Sequence, residues 1–488
     1  MAENVPIKFT KIFINNEWHD SVSGKKFPNI NPATEQKLAD IEEGDEADIC
    51  KAVDAAHKAF QIGSPWRQMD ASKRGEMLNK FADLIERDRD YLAALQTAEN
   101  GKPLQASLQE IMGSVKNIRY YAGYADKIHG KTIPADGGTM SYTIIEPVGV
   151  CGQIIPWNFP IMMAVWKLGV ALCCGNTLVL KPAEQTPLSS LYLASLIKEA
   201  GFPPGVVNVV PGYGPTAGNA LVENPKVDKI AFTGSTEVGK LIMRNSSATL
   251  KRISLELGGK SPLVVTSNVK NIANAAALAQ QACFFNMGQC CCAGTRTFVH
   301  ESIYDEFVKN SSMLIKNHIV GDPFNEKSNQ GPQIDEEQMK KILDLIESGK
   351  KEGARCVAGG KRMSQPGYFI EPTIFADCQD NMRIAKEEIF GMVQQIFKYS
   401  TLDEVIDRCN NTEYGLAAGI ISNDIQEVMK FTKSVRAGTI WVNTFMQFAT
   451  QTPFGGFKHS GFAREMGEDS LHGYGEIKSI VINHNNSV

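Results

Sequence analysis

Neither sign of charge dominates this 488-residue chain: 50 lysines and arginines stand against 54 aspartates and glutamates, a formal net charge of −4. A protein whose main work is gripping nucleic acid concentrates Lys and Arg to neutralise phosphates, so that class is set aside. The first residues, Met1 to Thr10, hold no basic segment followed by an apolar core, so no secretory or transit signal is expected there. No apolar run reaches the ~20 residues that span a bilayer. The most apolar stretch, Ile161 to Cys174, carries Lys167 in its middle and suits a buried helix. Eleven cysteines, odd in number and irregular in spacing, do not make a secreted disulfide framework. No paired Cys-x-x-Cys and no His-x-x-x-His offers zinc spacing, so no metal is expected. What remains is an ordinary globular composition, 43% hydrophobic and 21% charged, long enough for roughly three domains. A cytoplasmic protein acting on a small molecule is the starting expectation.

Between 148 and 267 strand and helix signals alternate. Val148–Ile155 is a short apolar run closed by Pro156, and Phe159–Leu172 follows as a buried helix ending near Gly175. Thr177–Leu180 reads as the next strand. Pro187–Ala200 is a helix stopped by Gly201 and two prolines, and Val206–Val210 and Val227–Phe232 are further strands. Strands separated by ten-to-fifteen-residue helices predict βαβ units and a parallel sheet, so the fold class is α/β. A second α/β series begins after Pro262, with helices near 270–285, 301–317, 335–352 and 402–411 and strands at 416–422 and 438–442. Met140–Glu146 and Glu476–Asn483 are β-rich and fit neither series; they are expected to pair with each other or with another subunit.

Five motifs carry chemistry. In Ile230–Lys240, Gly234 and Gly239 sit between a strand and a helix, where a helix N-terminus suits a phosphate. Leu241 stands where a nucleotide-binding P-loop needs Ser or Thr, and glycines serving turn geometry alone are the other reading. Lys181 and Glu184 follow the Thr177–Leu180 strand and could bond ribose hydroxyls, the carboxylate favouring NAD over NADP; a solvated ion pair is the alternative. The triplet Cys290-Cys-Cys292 could hold a nucleophile if its pKa is lowered or its proton removed, although most free cysteines are buried and inert. Glu256, at an apolar strand end before Gly258-Gly259, could be a general base or an ion-paired carboxylate. Asn158, pinned in Pro156-Trp-Asn-Phe-Pro160, could donate to an oxyanion or simply shape a turn.

Together with Glu387-Glu-Ile-Phe-Gly391 and Pro453-Phe-Gly-Gly-Phe-Lys-His-Ser-Gly461, these motifs run in the order of the NAD-dependent aldehyde dehydrogenases, which the chain resembles over nearly its whole length. Within that family it is similar to the cytosolic class that includes the retinaldehyde dehydrogenases. The resemblance implies a Rossmann-like NAD domain (1–124 and 148–259), a second α/β catalytic domain (260–459) and a small β oligomerisation arm (125–147 and 460–488). A homotetramer built as a dimer of dimers would follow. It implies Cys291 as nucleophile toward an aldehyde, Asn158 as oxyanion donor and Glu256 as the base that activates water. Ile155, Trp157, Lys181, Glu184, Gly214, Gly234, Ser235, Leu257, Glu388 and Phe390 would bind NAD. Phe159, Met163, Trp166, Phe285, Phe448 and Phe454 would line a substrate tunnel, with ordinary core the other reading for each. Met392 and Val170 replace residues that are commonly proline in the family, and Met446 with Phe448 is expected to narrow the tunnel mouth. The rival reading is a catalytically silent structural relative, like the lens crystallins drawn from this family; a phosphorylating dehydrogenase is weaker, since no Cys–His pair is apparent.

Overall fold

A computed structural model describes residues 5–483; residues 1–4 and 484–488, the outer ends of the first and last expected segments, lie outside the described residues. Two parallel sheets form its body. The first has eight strands in the order Gly461–Phe462, Arg252–Glu256, Lys229–Thr233, Val150–Ile154, Thr177–Lys181, Val207–Val209, Ile12–Ile14 and Glu17–His19. The five middle strands are parallel. Numbered along the chain they run 5-4-1-2-3, so the winding reverses between Val150–Ile154 and Lys229–Thr233, the point where such sheets open a crevice. Side chains alternate between two apolar clusters: Leu178 and Leu180 enter one and Val179 the other, as do Ala231 against Ile230 and Phe232.

The helices around this sheet follow local rules. Pro160–Cys173 begins on a proline and ends before Gly175 at φ 86°. Pro187–Ala200 begins on a proline and stops at Gly201 in the left-handed conformation. Its first amides are claimed by a distant group: Glu99 accepts from the Leu188 and Ser189 N–H groups at 2.8 and 3.0 Å. Four helices of the amino-terminal region, Glu46–Phe60, Ala71–Arg87, Arg89–Asn100 and Leu104–Ala122, complete this unit.

The second sheet has seven strands, in the order Arg355–Ala358, Thr373–Ala376, Val393–Tyr399, Arg296–His300, Pro262–Val265, Ala417–Ile421 and Thr439–Val442, all parallel except the first. The two β-rich outliers pair with each other. Thr139–Pro147 and Gly475–Asn483 run antiparallel through nine residue pairs, from Pro147–Gly475 to Thr139–Asn483, with Thr132–Pro134 as third strand. Gly461–Phe462 instead closes the edge of the first sheet, so among the described residues after 460 it is Gly475–Asn483 that joins the third sheet.

Candidate active site

The chain leaves the first sheet at Glu256 and enters the second at Pro262. The carboxyl ends of the first sheet's strands therefore face the amino ends of the second's. Between them lies a cavity of about 700 Å³, lined among others by Trp157, Asn158, Phe159, Met163, Trp166, Gly234, Ser235, Glu256, Phe285, Cys290, Cys291, Cys292, Glu388, Phe390, Phe448 and Phe454. The structure thus brings together all three expected catalytic residues, all six expected tunnel residues and five of the ten expected cofactor residues. Ile155, Lys181, Glu184, Gly214 and Leu257 do not line it.

Of the three consecutive thiols, Cys290 and Cys292 are buried, 5% and 1% exposed, and Cys291 is half-buried. The triplet is delivered by an unusual turn: Asn286, Met287 and Gly288 all have positive φ, at 53°, 58° and 72°. Left-handed backbone at a methionine is strained. Glycine at 288 is obligatory, because a β-carbon there would lie 2.1 Å from the Gly391 carbonyl carbon. Hydrogen bonds with Cys290 and Cys292, together with burial, push the Cys291 thiol above its ordinary range. An adjacent proton acceptor is therefore needed to make it a nucleophile. Glu256 faces it: burial pushes this carboxyl up to about 8, against a lowering by the Cys291 thiol. Glu256 Oε1 and Asn158 Oδ1 are buried polar atoms with no hydrogen-bond partner among the described residues, as expected of groups kept for a ligand. The Asn158 amide donates to the Gln289 carbonyl at 3.0 Å, two residues before Cys291.

Of the expected cofactor residues, Ser235, Glu388 and Phe390 stand in the cavity wall, and Ile155, Lys181, Glu184, Gly214 and Leu257 lie outside it. Ser235 caps the helix Thr236–Ser246, its hydroxyl accepting from the Val238 N–H at 3.3 Å, and leaves a helix N-terminus facing outward for a phosphate. Gly239 lies inside that helix rather than in the turn, where it makes room for Leu257. Lys181 is buried at the end of its strand, its ammonium donating to the Pro182 carbonyl at 2.7 Å and standing 3.7 Å from Glu184. Burial lowers the Lys181 pKa, with Glu184 opposing. Gly214 begins a five-residue helical turn, and a β-carbon there would meet nothing within 4 Å. Ile155 carries the register, its N–H donating to the Lys181 carbonyl at 3.2 Å. At the other end Glu388 accepts from the Gly259 N–H at 2.8 Å, and burial pushes it up to about 7. Phe390 stands edge-on to Trp157 at 5.3 Å. A cradle with a helix N-terminus, a strand-end lysine and carboxylate, and an aromatic-walled end at the thiols fits a dinucleotide.

A family model for the aldehyde dehydrogenase family matches residues 18–480. The chain belongs to the aldehyde dehydrogenase family. It is 60% identical over 481 residues to aldehyde dehydrogenase 1A1 of Ovis aries, covering 98% of this chain and 96% of that protein. To aldehyde dehydrogenase 1A1 of Homo sapiens it is 58% identical over 484 residues, covering 99% and 96%. Among solved structures, an NAD+ complex of aldehyde dehydrogenase from Bacillus cereus superposes with a TM-score of 0.96 at 47% identity, covering 98% of this chain and 97% of that one.

Two ion pairs beside the site of this aldehyde dehydrogenase escaped sequence reasoning. Lys102, 1% exposed, pairs with Glu110 and donates to the Asn158 carbonyl at 3.1 Å. Asn286 donates to the same carbonyl at 3.1 Å, so the Asn158 loop is clamped from both units. Lys167, noticed in sequence only as a charge in an apolar stretch, pairs with Glu465 and donates to the Thr233 hydroxyl at 2.6 Å. Both members act electrostatically on Glu256. The single available signal was a lysine inside an otherwise apolar or glycine-flanked segment; Glu110 is eight residues from Lys102, but Glu465 is 298 residues from Lys167.

One expectation about the departures from the family pattern needs correction, and the other two positions can be placed. Met446 does not narrow the mouth: its backbone is left-handed, at φ 58°, and its sulfur packs on Cys290 and Cys292. Phe448 alone of the two lines the cavity, packed 5.5 Å from Phe454. Met392 is buried in the core, its carbonyl accepting from Thr373, and does not line the cavity beside Phe390. Val170 continues the helix Pro160–Cys173 without a break.

Proposed function

We propose that this chain oxidises an aldehyde to a carboxylic acid with NAD+ through a covalent intermediate on Cys291. The observation that carries the residue assignment is that Cys291 alone of the triplet is half-buried in the cavity wall, facing the buried Glu256 carboxyl, which can take its proton. Its thiolate adds to the carbonyl carbon, and the Asn158 amide N–H₂ turns from Gln289 to the oxygen that gains the electron pair. NAD+, when bound, supplies the acceptor for the hydride that leaves this carbon. The product on the chain is a thioester. Glu256 then removes a proton from water, the oxygen adds to the thioester carbon, and the C–S bond breaks to release the acid and Cys291. Lys167 and Glu465 give the buried Glu256 proton a polar route outward.

The cofactor would be held by Lys181 and Glu184 at its adenosine end, Gly214, Ser235 and Leu257 along its middle, and Ile155, Trp157, Gly234, Glu388 and Phe390 toward the reactive end. The aromatic wall of Phe159, Trp166, Phe285, Phe448 and Phe454 favours aldehydes with an apolar body. The two sheets and the third support a division into an NAD domain (1–124, 148–259), a catalytic domain (260–459) and an arm (125–147, 460–488). Exposed Ile477, Val481 and Met140 on that third sheet support assembly of copies into a homotetramer. Eleven free cysteines suit a reducing compartment such as the cytoplasm, and no helix among the described residues is long and apolar enough to cross a membrane. The formal charge of −4 favours no nucleic-acid partner.

The test is NADH formation by purified protein with aliphatic, aromatic and retinoid aldehydes. Cys291→Ala should abolish it, whereas Cys290→Ala and Cys292→Ala should retain it. Turnover that survives in Cys291→Ala overturns the mechanism. A folded chain that binds NAD+ yet forms no NADH with any aldehyde would favour a crystallin-like structural role.

A further inference from the structure

Beside Cys291 lies a group of sulfurs that the oxidation does not use. Cys290 Sγ and Cys292 Sγ are 3.6 Å apart, and Met446 Sδ is 3.5 Å from Cys292 Sγ and 4.0 Å from Cys290 Sγ. The three thiol sulfurs of the triplet all lie within 4.8 Å of one another. Met446 is held over this pair by left-handed backbone at φ 58°, a conformation that non-glycine residues adopt only where surroundings impose it. Both cysteines also belong to the cavity wall.

The spacing is that of a coordination site. With metal–sulfur bonds of about 2.3 Å, a three-coordinate ion sets its sulfurs about 4.0 Å apart and a tetrahedral one about 3.8 Å. The observed separations of 3.5–4.0 Å need adjustments of only a few tenths of an ångström. The donor chemistry narrows the ion: thiolates accept several soft metals, but a thioether selects Cu(I) over Zn²⁺ and over the hard cations.

We propose that Cys290, Cys292 and Met446 form a capture site for one cuprous ion, which blocks Cys291 by filling the space beside it. Binding breaks two S–H bonds and forms two Cu–S bonds, the methionine sulfur adds a lone pair, and two protons leave to buffer. No electron is transferred. Ion capture stands apart from the aldehyde reading; only its inhibitory consequence rests on it.

The experiment titrates the full-length chain anaerobically with Cu(I) against a chromophoric Cu(I) chelator, with NADH formation followed in parallel. The unmodified chain should retain one Cu(I) per chain against the chelator and lose turnover as it loads. Excess chelator should restore that turnover. Met446→Leu, close in volume and therefore tolerated in packing, should weaken Cu(I) at least tenfold and leave Zn²⁺ binding unchanged. Cys292→Ala should abolish retention. Cys50→Ser and Cys356→Ser, at the exposed and half-buried thiols elsewhere, should leave it intact. Unchanged Cu(I) affinity in both Met446→Leu and Cys292→Ala overturns the site, as does failure of the unmodified chain to retain copper. Copper retained by a chain that oxidises no aldehyde would leave the site standing and remove the proposed function instead.

Discussion

The two parallel sheets meet at the cavity with opposite ends. The first offers the carboxyl ends of its strands, so Asn158, Gly234 and Glu256 sit at or just beyond Val150–Ile154, Lys229–Thr233 and Arg252–Glu256. This is the ordinary location for ligand groups in a doubly wound sheet. The second offers amino ends: Cys291 precedes Arg296–His300, and Glu388 and Phe390 precede Val393–Tyr399. Regular geometry positions the groups of the first sheet. Those of the second depend on left-handed backbone at Asn286, Met287, Gly288 and Phe390. One side of the site is therefore preorganised by secondary structure, and the other by turns that neighbouring residues force into place.

The largest loss expected on the regular side comes from Glu256→Gln, which keeps the shape and removes the base. Turnover should fall about 10²–10⁴-fold. In the unaltered chain the carboxylate form appears only as pH rises through about 8. Where water attack limits the rate, turnover should climb through that pH and then level off, and the Gln variant should lose the rise. A pH–rate profile of the two proteins checks this; an identical rise in both would transfer the base role to another group.

On the strained side, Gly288→Ala should cost about 10²-fold in turnover, the penalty of moving a reacting atom by roughly an ångström. It should also lower the thermal midpoint, because the added β-carbon meets the Gly391 backbone at a φ that alanine resists. NAD+ affinity should fall less than turnover, because of the proposed cofactor residues only Glu388 and Phe390 stand next to the Gly391 backbone that the β-carbon meets. Equal loss of NAD+ affinity would mean that the two sides are not separable.

The contrast also explains what could be read from the chain. Pro160–Cys173, Pro187–Ala200 and the strands around them announce themselves by continuous apolar runs with proline starts and glycine stops, and the groups at strand ends come with them. The left-handed turn before Cys290 has no such signal: Asn286 is a familiar left-handed residue, but Met287 is not, and the backbone that leaves no room for a side chain at 288 is Gly391, about a hundred residues away. Glu465 lies 298 residues from Lys167, and nothing local links them. Met446 was misplaced for the same reason, since its φ decides whether the sulfur meets solvent or thiols.

Lys102→Met tests the clamp that joins the two sides. Removing the ammonium leaves Glu110 buried without its partner, which should destabilise the chain by about 3–5 kcal/mol, and frees one of the two donors on the Asn158 carbonyl. Adding Glu110→Leu should recover much of the stability. If Lys102 positions Asn158, kcat should remain roughly tenfold low in that double variant while KM for NAD+ stays near its original value. Recovery of rate together with stability would reduce Lys102 to a structural role.

The smallest effect is expected at a glycine on the cavity wall, and it isolates the reason that Gly288, behind the wall residues Asn286 and Met287, matters. Gly113 lies within the helix Leu104–Ala122 and lines the cavity. Its φ is not positive, and a β-carbon there would meet nothing within 4 Å. A glycine inside a helix costs roughly 0.5–1 kcal/mol relative to alanine, through backbone entropy in the unfolded chain. Gly113→Ala should therefore raise the thermal midpoint slightly and leave turnover of small aldehydes within about twofold, since one methyl group removes little of a large cavity. Gly113 alone of the two lines the cavity, so a similar loss in the two variants would show that any added methyl group near the site sets the cost. A loss confined to Gly288→Ala would assign it to the forced left-handed turn, and so to the way the second sheet presents its thiol.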